Sequence, residues 1–227
     1  MTAVALATGG AARFTNRPSE LAAIFLNGGT ARPLPGTWSA TTELLVTQLA
    51  PRLPDIRFVE VRYRVKTWKE LQACMDDAAA AAELALADGA HSCLLVGFSM
   101  GGAVSIGIAG EPAVAGVLGL APWIPERLPL QGLVGKRLDV VHGSWDRAAP
   151  GIPGVHPRTS LAGFERARAL GVEGSYTVIP RGLHGCAVRR PSGGLVKLPC
   201  WRRWVDEAHV ALERFLASES EGGGHGG

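Results

Sequence analysis

Cysteine is scarce in this chain of 227 residues: Cys74, Cys93, Cys186 and Cys200 are its only four, and no CxxC pair occurs. That excludes a disulfide scaffold and leaves buried free thiols as the expectation. Cys186 and Cys200, which flank a Pro/Gly-rich loop, are the one pair placed to bridge. Charge of one sign is lacking too. Lys and Arg total 23 against 20 Asp and Glu, a net +3, and the basic residues are scattered apart from short pairs such as Arg189-Arg190 and Arg202-Arg203. Nucleic-acid binding is not indicated by such a balance. Hydrophobic residues make up 47%, yet Gly, Pro or charge interrupts them well before the roughly 18 consecutive positions that a membrane-spanning helix needs. The start, MTAVALATGGAARFTNRP, puts no Lys or Arg ahead of its small apolar residues. No secretory signal is therefore expected, and a cytoplasmic location is the expectation. There is no internal repeat, and the glycine-containing loop at 26–30 has neither the GxGxxG pattern nor the Lys-Ser/Thr ending of a phosphate loop. No cofactor and no metal is expected.

What is present is an alternation. Short β-rich runs at 23–26, 57–62, 93–97, 115–120, 138–142 and 175–179 are separated by helical patterns at 39–49, 69–87, 100–109, 161–170 and 203–217. Near-continuous apolar strands suit a sheet covered on both faces. The pattern predicts an α/β fold, doubly wound, with a mostly parallel sheet of about six to seven strands flanked by helices. Residues 1–20 are expected to be an N-terminal extension, 21–217 a single domain, and 218–227, SESEGGGHGG, a disordered tail.

The stretch LLVGFSMGG places Ser99 between a strand and a helix, with Gly97 and Gly101 two residues to either side. In an open parallel sheet, ligands bind at such carboxyl-end junctions. Glycines there relieve collisions in a tight turn. Ser99 would project its hydroxyl into the crevice, with the Met100 amide facing developing negative charge. The competing reading is a serine that caps the following helix. A hydroxyl attacks carbonyls poorly without a base, so the catalytic reading requires a histidine and an orienting acid on later strand ends. Asp146 follows LDVVHGSW, and His184 follows SYTVIPRGL. Their bland alternatives are a turn carboxylate and a solvated loop histidine. His142 lies within a strand, and Asp139 sits at a strand's opening end, on the far side of the sheet. LNGGT at 26–30 follows an earlier strand, and its glycines let the backbone approach a substrate. The Gly29 amide is the expected second oxyanion donor, with that of Thr30 as the alternative. Thr30, Trp38, Trp123 and Trp145 are candidate pocket residues.

With LNGGT, GFSMGG, HGSWD and GLHG in this order, the chain resembles the α/β-hydrolase fold superfamily, in particular its compact lidless serine esterases and dienelactone-hydrolase-like members. The latter usually carry a cysteine where this chain has Ser99, and Asn27 stands where many members have histidine. The resemblance implies Ser99 as nucleophile, His184 as general base and acid, Asp146 as orienting acid, and Gly29 and Met100 as the oxyanion pair. Only the segment 122–136 separates two strands where a cap is often inserted, so no cap domain is expected. The implied activity is hydrolysis of carboxylic esters, with a small-molecule ester or thioester as the partner. Thioester cleavage or acyl transfer would use the same residues. A non-catalytic ligand-binding protein of the same fold is the alternative from another class.

Overall fold

Strands apolar on both faces must be covered on both faces, and parallel strands must be joined by crossovers. A computed structural model describes residues 3–147 and 154–222 and meets both demands. In chain order the elements are β1 (Ala3–Ala5), β2 (Ala11–Thr15), β3 (Leu21–Leu26), β4 (Leu34–Pro35), α1 (Ala40–Leu49), β5 (Ile56–Arg62), β6 (Val65–Lys66), α2 (Leu71–Ala87), β7 (Ser92–Phe98), α3 (Met100–Gly107), β8 (Val114–Leu120), β9 (Arg137–Gly143), α4 (Pro157–Ala169), β10 (Tyr176–Ile179), β11 (Ala187–Arg189), β12 (Leu195–Lys197) and α5 (Trp201–Gly222). Eight strands form one sheet in the order β1-β2-β5-β3-β7-β8-β9-β10. Neighbours from β5 to β10 run parallel, whereas β1-β2 and β2-β5 are antiparallel.

The sheet is wider than the six to seven strands expected, because the first twenty residues are not an extension. They supply β1 and β2. Ala11 and Ala12 are buried, and Arg13 clasps Glu60 of β5 through Nε at 2.8 Å and Nη2 at 2.9 Å. Small residues and a Gly-Gly turn hide these strands from a search for bulky β-formers.

Alternation along the strands feeds two cores. Ile24 and Leu26 of β3 join the cluster that includes α2 and α3, while Ala23 and Phe25 join the cluster that includes α1 and α5. In α2 the buried residues are Cys74, Asp77, Ala78, Ala81, Ala82 and Ala85; the alanines let the helix lie close to the sheet. In α5 Trp204, Ala208, Ala211, Leu212 and Phe215 are buried, as their spacing predicts. That helix runs to Gly222, so the tail predicted from 218 begins inside it; residues 223–227 lie outside the described residues. Helix α4 starts at Pro157, ahead of the predicted 161, with His156 Nδ1 accepting from Arg158 N. Proline at the first helical position was the available signal.

Cys186 and Cys200 do not bridge: both are free. The Cys186 Sγ lies 3.7 Å from the Thr41 carbonyl and the Cys200 Sγ 3.6 Å from that of Pro180. Burial pushes the Cys186 thiol up to about 12 and those of Cys74 and Cys93 up to about 11, which keeps them protonated and inert. Among the described residues no helix is long and apolar enough to cross a membrane.

Register sets the position of the site. Leu26 pairs with Gly97, Phe98 with Leu120, Leu120 with Val141, and Gly143 with Ile179. The carboxyl ends of these strands finish level, so the loops that follow share one rim.

Candidate active site

Ser99 alone makes the turn from β7 to α3, with φ 56° and ψ −117°. A non-glycine residue in such a conformation costs on the order of 1–3 kcal/mol and persists only where its surroundings enforce it. Here Ser99 N donates to the Leu120 carbonyl at 3.0 Å, and the Ser99 carbonyl accepts from Gly102 N at 2.9 Å and Trp123 N at 2.8 Å. Ser99 occupies the N-cap position of α3 but makes no side-chain capping bond. The structural role that would explain a serine here is not the one its hydroxyl plays.

The flanking glycines are required by space. A Cβ on Gly97 would lie 2.3 Å from the Gly101 carbonyl oxygen, and one on Gly101 would lie 2.3 Å from that of Leu26. Both obstacles are backbone, so neither can swing aside. Gly101→Ala is therefore expected to destabilise the fold by about 1–3 kcal/mol, the usual range for overpacking. A fall in the urea midpoint checks this, and an unchanged midpoint contradicts it.

The loops after β9 and β10 are laced together. Ser144 N donates to Ile179 O at 3.0 Å, Trp145 N to Gly182 O at 2.9 Å, and Arg181 N to Ser144 Oγ at 2.8 Å. The lacing brings His184 Nδ1 within 2.7 Å of Asp146 Oδ2. Asp146 is fully buried; its Oδ1 accepts from Val155 N at 3.1 Å, and His142 Nε2 approaches its Oδ2 at 2.9 Å. Burial would push the Asp146 carboxyl up, but the bonds from His142 and His184 outweigh it and hold the group below the usual carboxylate range. The imidazole of His184 tilts against the ring of Phe98, centroids 4.9 Å apart. Phe98 directly precedes Ser99, so the imidazole lies against the residue next to the serine.

On the other side, Asn27 organises the loop after β3. Its Nδ2 donates to Thr37 O at 2.7 Å, its Oδ1 accepts from Gly28 N at 2.6 Å, and its carbonyl accepts from the Tyr63 hydroxyl at 3.3 Å. The Gly28 amide is thereby spent, and the next is that of Gly29. A Cβ on Gly29 would lie 2.2 Å from Met100 Sδ, so its backbone packs directly against Met100. The Met100 amide, in the first turn of α3, has no acceptor within its own helix.

A cavity of about 290 Å³ opens beside Ser99, lined by Trp68, Ser99, Met100, Trp123, Gly154 and Val155. Of the four predicted pocket residues, Trp123 is the one that lines it, its backbone N–H donating a hydrogen bond to the Ser99 carbonyl. Trp38 lies instead beneath Arg13, 4.5 Å from the ring centroid, and Arg62, at 5.6 Å. Trp145 is 55% exposed. Thr30 Oγ1 is 2.7 Å from the carbonyls of both Arg32 and Lys66. Trp68, which the sequence reading missed, stands in a 3-10 turn capped by the Thr67 hydroxyl, which accepts from Lys69 N at 3.3 Å. The signal was a Thr-Trp pair soon after the carboxyl end of β5. A larger hollow of about 530 Å³ has Arg137, Asp139 and Arg214 among its lining residues. It lies at the opposite end of the sheet, at the opening ends of β8 and β9, away from the serine turn.

No family model and no curated sequence matches the chain. Solved structures do. A sugar hydrolase from Lactococcus lactis aligns with 96% of this chain and 98% of its own at a TM-score of 0.68 and 16% identity. A carboxylesterase from Lactobacillus plantarum aligns over 94% and 92%, with a TM-score of 0.59 and 16% identity. For a lidless α/β serine hydrolase from Xanthomonas campestris the coverage is 81% and 85%, the TM-score 0.58 and the identity 18%. Likeness at these identities speaks for architecture. With its mostly parallel sheet, helices on both faces and no cap domain between β8 and β9, the chain has the α/β-hydrolase fold.

Proposed function

We propose that this protein is a serine hydrolase that cleaves carboxylic esters through an acyl-enzyme on Ser99. The observation that carries the reading is the serine itself: a strained, non-capping hydroxyl at a cavity, next in the chain to Phe98, whose ring packs on an imidazole that a buried carboxylate holds at 2.7 Å. Ser99 Oγ attacks the acyl carbonyl while His184 Nε2 takes its proton, and Asp146 stabilises the resulting imidazolium. The oxyanion is received by the amides of Gly29 and Met100. His184 then returns the proton to the departing alkoxide, and the alcohol leaves. Water, deprotonated in its turn by His184, cleaves the acyl-enzyme and releases the acid.

At about 290 Å³, the cavity is at the lower end of the roughly 300–1,000 Å³ usual for small-molecule pockets. Its tryptophans, Met100 and Val155 favour an apolar acyl group, and its size favours a short one. A panel of p-nitrophenyl esters of graded chain length, run beside acyl-thioesters and with a fluorophosphonate label, tests this. The expected result is one label per chain, on Ser99, with turnover highest for short acyl groups. A folded protein that takes no label on Ser99 overturns the reading.

A further inference from the structure

Asp146 is held by more than the histidine its triad role requires. His142, the second-last residue of β9, is fully buried. Its Nε2 lies 2.9 Å from Asp146 Oδ2 and 2.9 Å from the Val155 carbonyl. A carbonyl only accepts, so Nε2 carries a hydrogen, and that N–H is shared with the carboxylate. The other ring nitrogen is 2.7 Å from Ser160 Oγ, which is 2.7 Å from the Tyr176 hydroxyl. Both hydroxyls reach the Pro157 carbonyl at 3.0 Å.

This chain is satisfiable in either charge state of the ring. With His142 neutral, Tyr176 donates to Ser160 and Ser160 donates to Nδ1. With His142 charged, Nδ1–H donates to Ser160, Ser160 to Tyr176, and Tyr176 to Pro157. Rotating two hydroxyls converts one into the other, and Nε2–H faces Asp146 in both.

We propose that His142 is a positioning residue of the catalytic apparatus: its Nε2–H fixes the Asp146 carboxylate as the acceptor for His184 Nδ1, while Ser160 and Tyr176 fix His142 from behind. The inference rests on the ester-cleaving reading above. Asp146 Oδ2 takes both imidazole donors and Oδ1 takes the Val155 amide, so rotation of the carboxylate would break bonds on both oxygens. The titratable groups around Asp146 are His142 and His184, with Tyr176 beyond Ser160. Without His142, one of the two bonds opposing burial is lost and the carboxyl titrates higher.

The test compares His142→Leu, which deletes the donor, with His142→Gln, whose side-chain amide donates from nearly the same place. Readouts are p-nitrophenyl ester turnover against pH and the far-downfield imidazole N–H proton of His184, recorded by NMR on a Ser99→Ala background. His142→Leu should lower kcat by about 10- to 100-fold, the usual cost of losing an outer partner of a catalytic group, with KM changed less than about twofold. Its acid limb should move to higher pH and its downfield resonance should weaken. His142→Gln should restore kcat to within about fivefold and recover the resonance. Equal losses in the two variants, or an unchanged resonance in His142→Leu, overturn the proposal. If His142→Leu does not fold, Ser160→Ala, which frees the ring without removing it, should weaken the same resonance, and an unchanged one overturns the proposal. Should the wild-type protein cleave no ester, the functional reading falls while the NMR arm still decides whether His142 places Asp146.

Discussion

Ser99→Ala lowers ester kcat by roughly 10⁶-fold, as loss of a triad nucleophile does, and leaves stability nearly unchanged. The two halves of this expectation come from the same geometry. Alanine keeps the Cβ, so the positive φ of 56° is no worse in the variant. The hydroxyl makes no capping bond to α3, so its removal leaves no helix amide newly unsatisfied. The bonds that hold the turn, to Leu120, Gly102 and Trp123, are all backbone and survive. A capping serine gives the opposite pattern: about 1 kcal/mol of lost stability with chemistry untouched. Measuring kcat on a short p-nitrophenyl ester together with the urea midpoint separates the two. Retained turnover with a lowered midpoint would leave Ser99 a cap. Some acceleration over water is expected to remain in Ser99→Ala, because the Gly29 and Met100 amides do not depend on the hydroxyl.

The serine turn was legible because its constraints are local. A tight turn at a strand's carboxyl end needs glycines two residues to either side, and the collisions at Gly97 and Gly101 are with backbone. The closeness of Asp146 to His184 was legible because strand ends share a rim, which makes order along the chain a guide to proximity. Side chains placed by packing across the sheet were not legible in this way. Trp38, Trp123, Trp145 and Trp68 all follow strand ends, and that placement alone does not separate the two rings at the cavity, Trp68 and Trp123, from the ring under two arginines. His142 reads as a strand residue, yet its position at the end of β9 and four residues before Asp146 folds its ring back onto the carboxylate. Strands β1 and β2 are hidden by composition, being built largely from alanine, and the start of α4 is marked in the sequence by Pro157.

Asp146→Asn should lower kcat by about 10⁴-fold, the effect of replacing the orienting acid of a triad by its amide. Asp146 faces donors on both sides: imidazole N–H groups of His184 and His142 on Oδ2 at 2.7 and 2.9 Å, and the Val155 amide on Oδ1 at 3.1 Å. An asparagine has one acceptor to offer. If its oxygen faces the histidines, its NH₂ opposes the Val155 amide. If it faces Val155, the NH₂ opposes both imidazoles and drives His184 toward the wrong tautomer, with its proton on Nε2. Either arrangement buries an unsatisfied donor, so about 1–3 kcal/mol of stability should also be lost. The pH dependence of that loss has a definite sign. Because the Asp146 carboxyl is held below its ordinary range in the folded protein, its contribution is fully present above the unfolded-state value, about 3.9, and disappears as pH falls through the lowered one. The stability gap between wild type and Asp146→Asn should therefore be widest near neutral pH and narrow under acid, which urea titrations at graded pH measure. A gap that persists unchanged at low pH would mean that the carboxylate's charge is not what the histidines hold, and a variant that loses stability while keeping turnover would reduce Asp146 to a fastener of its loop.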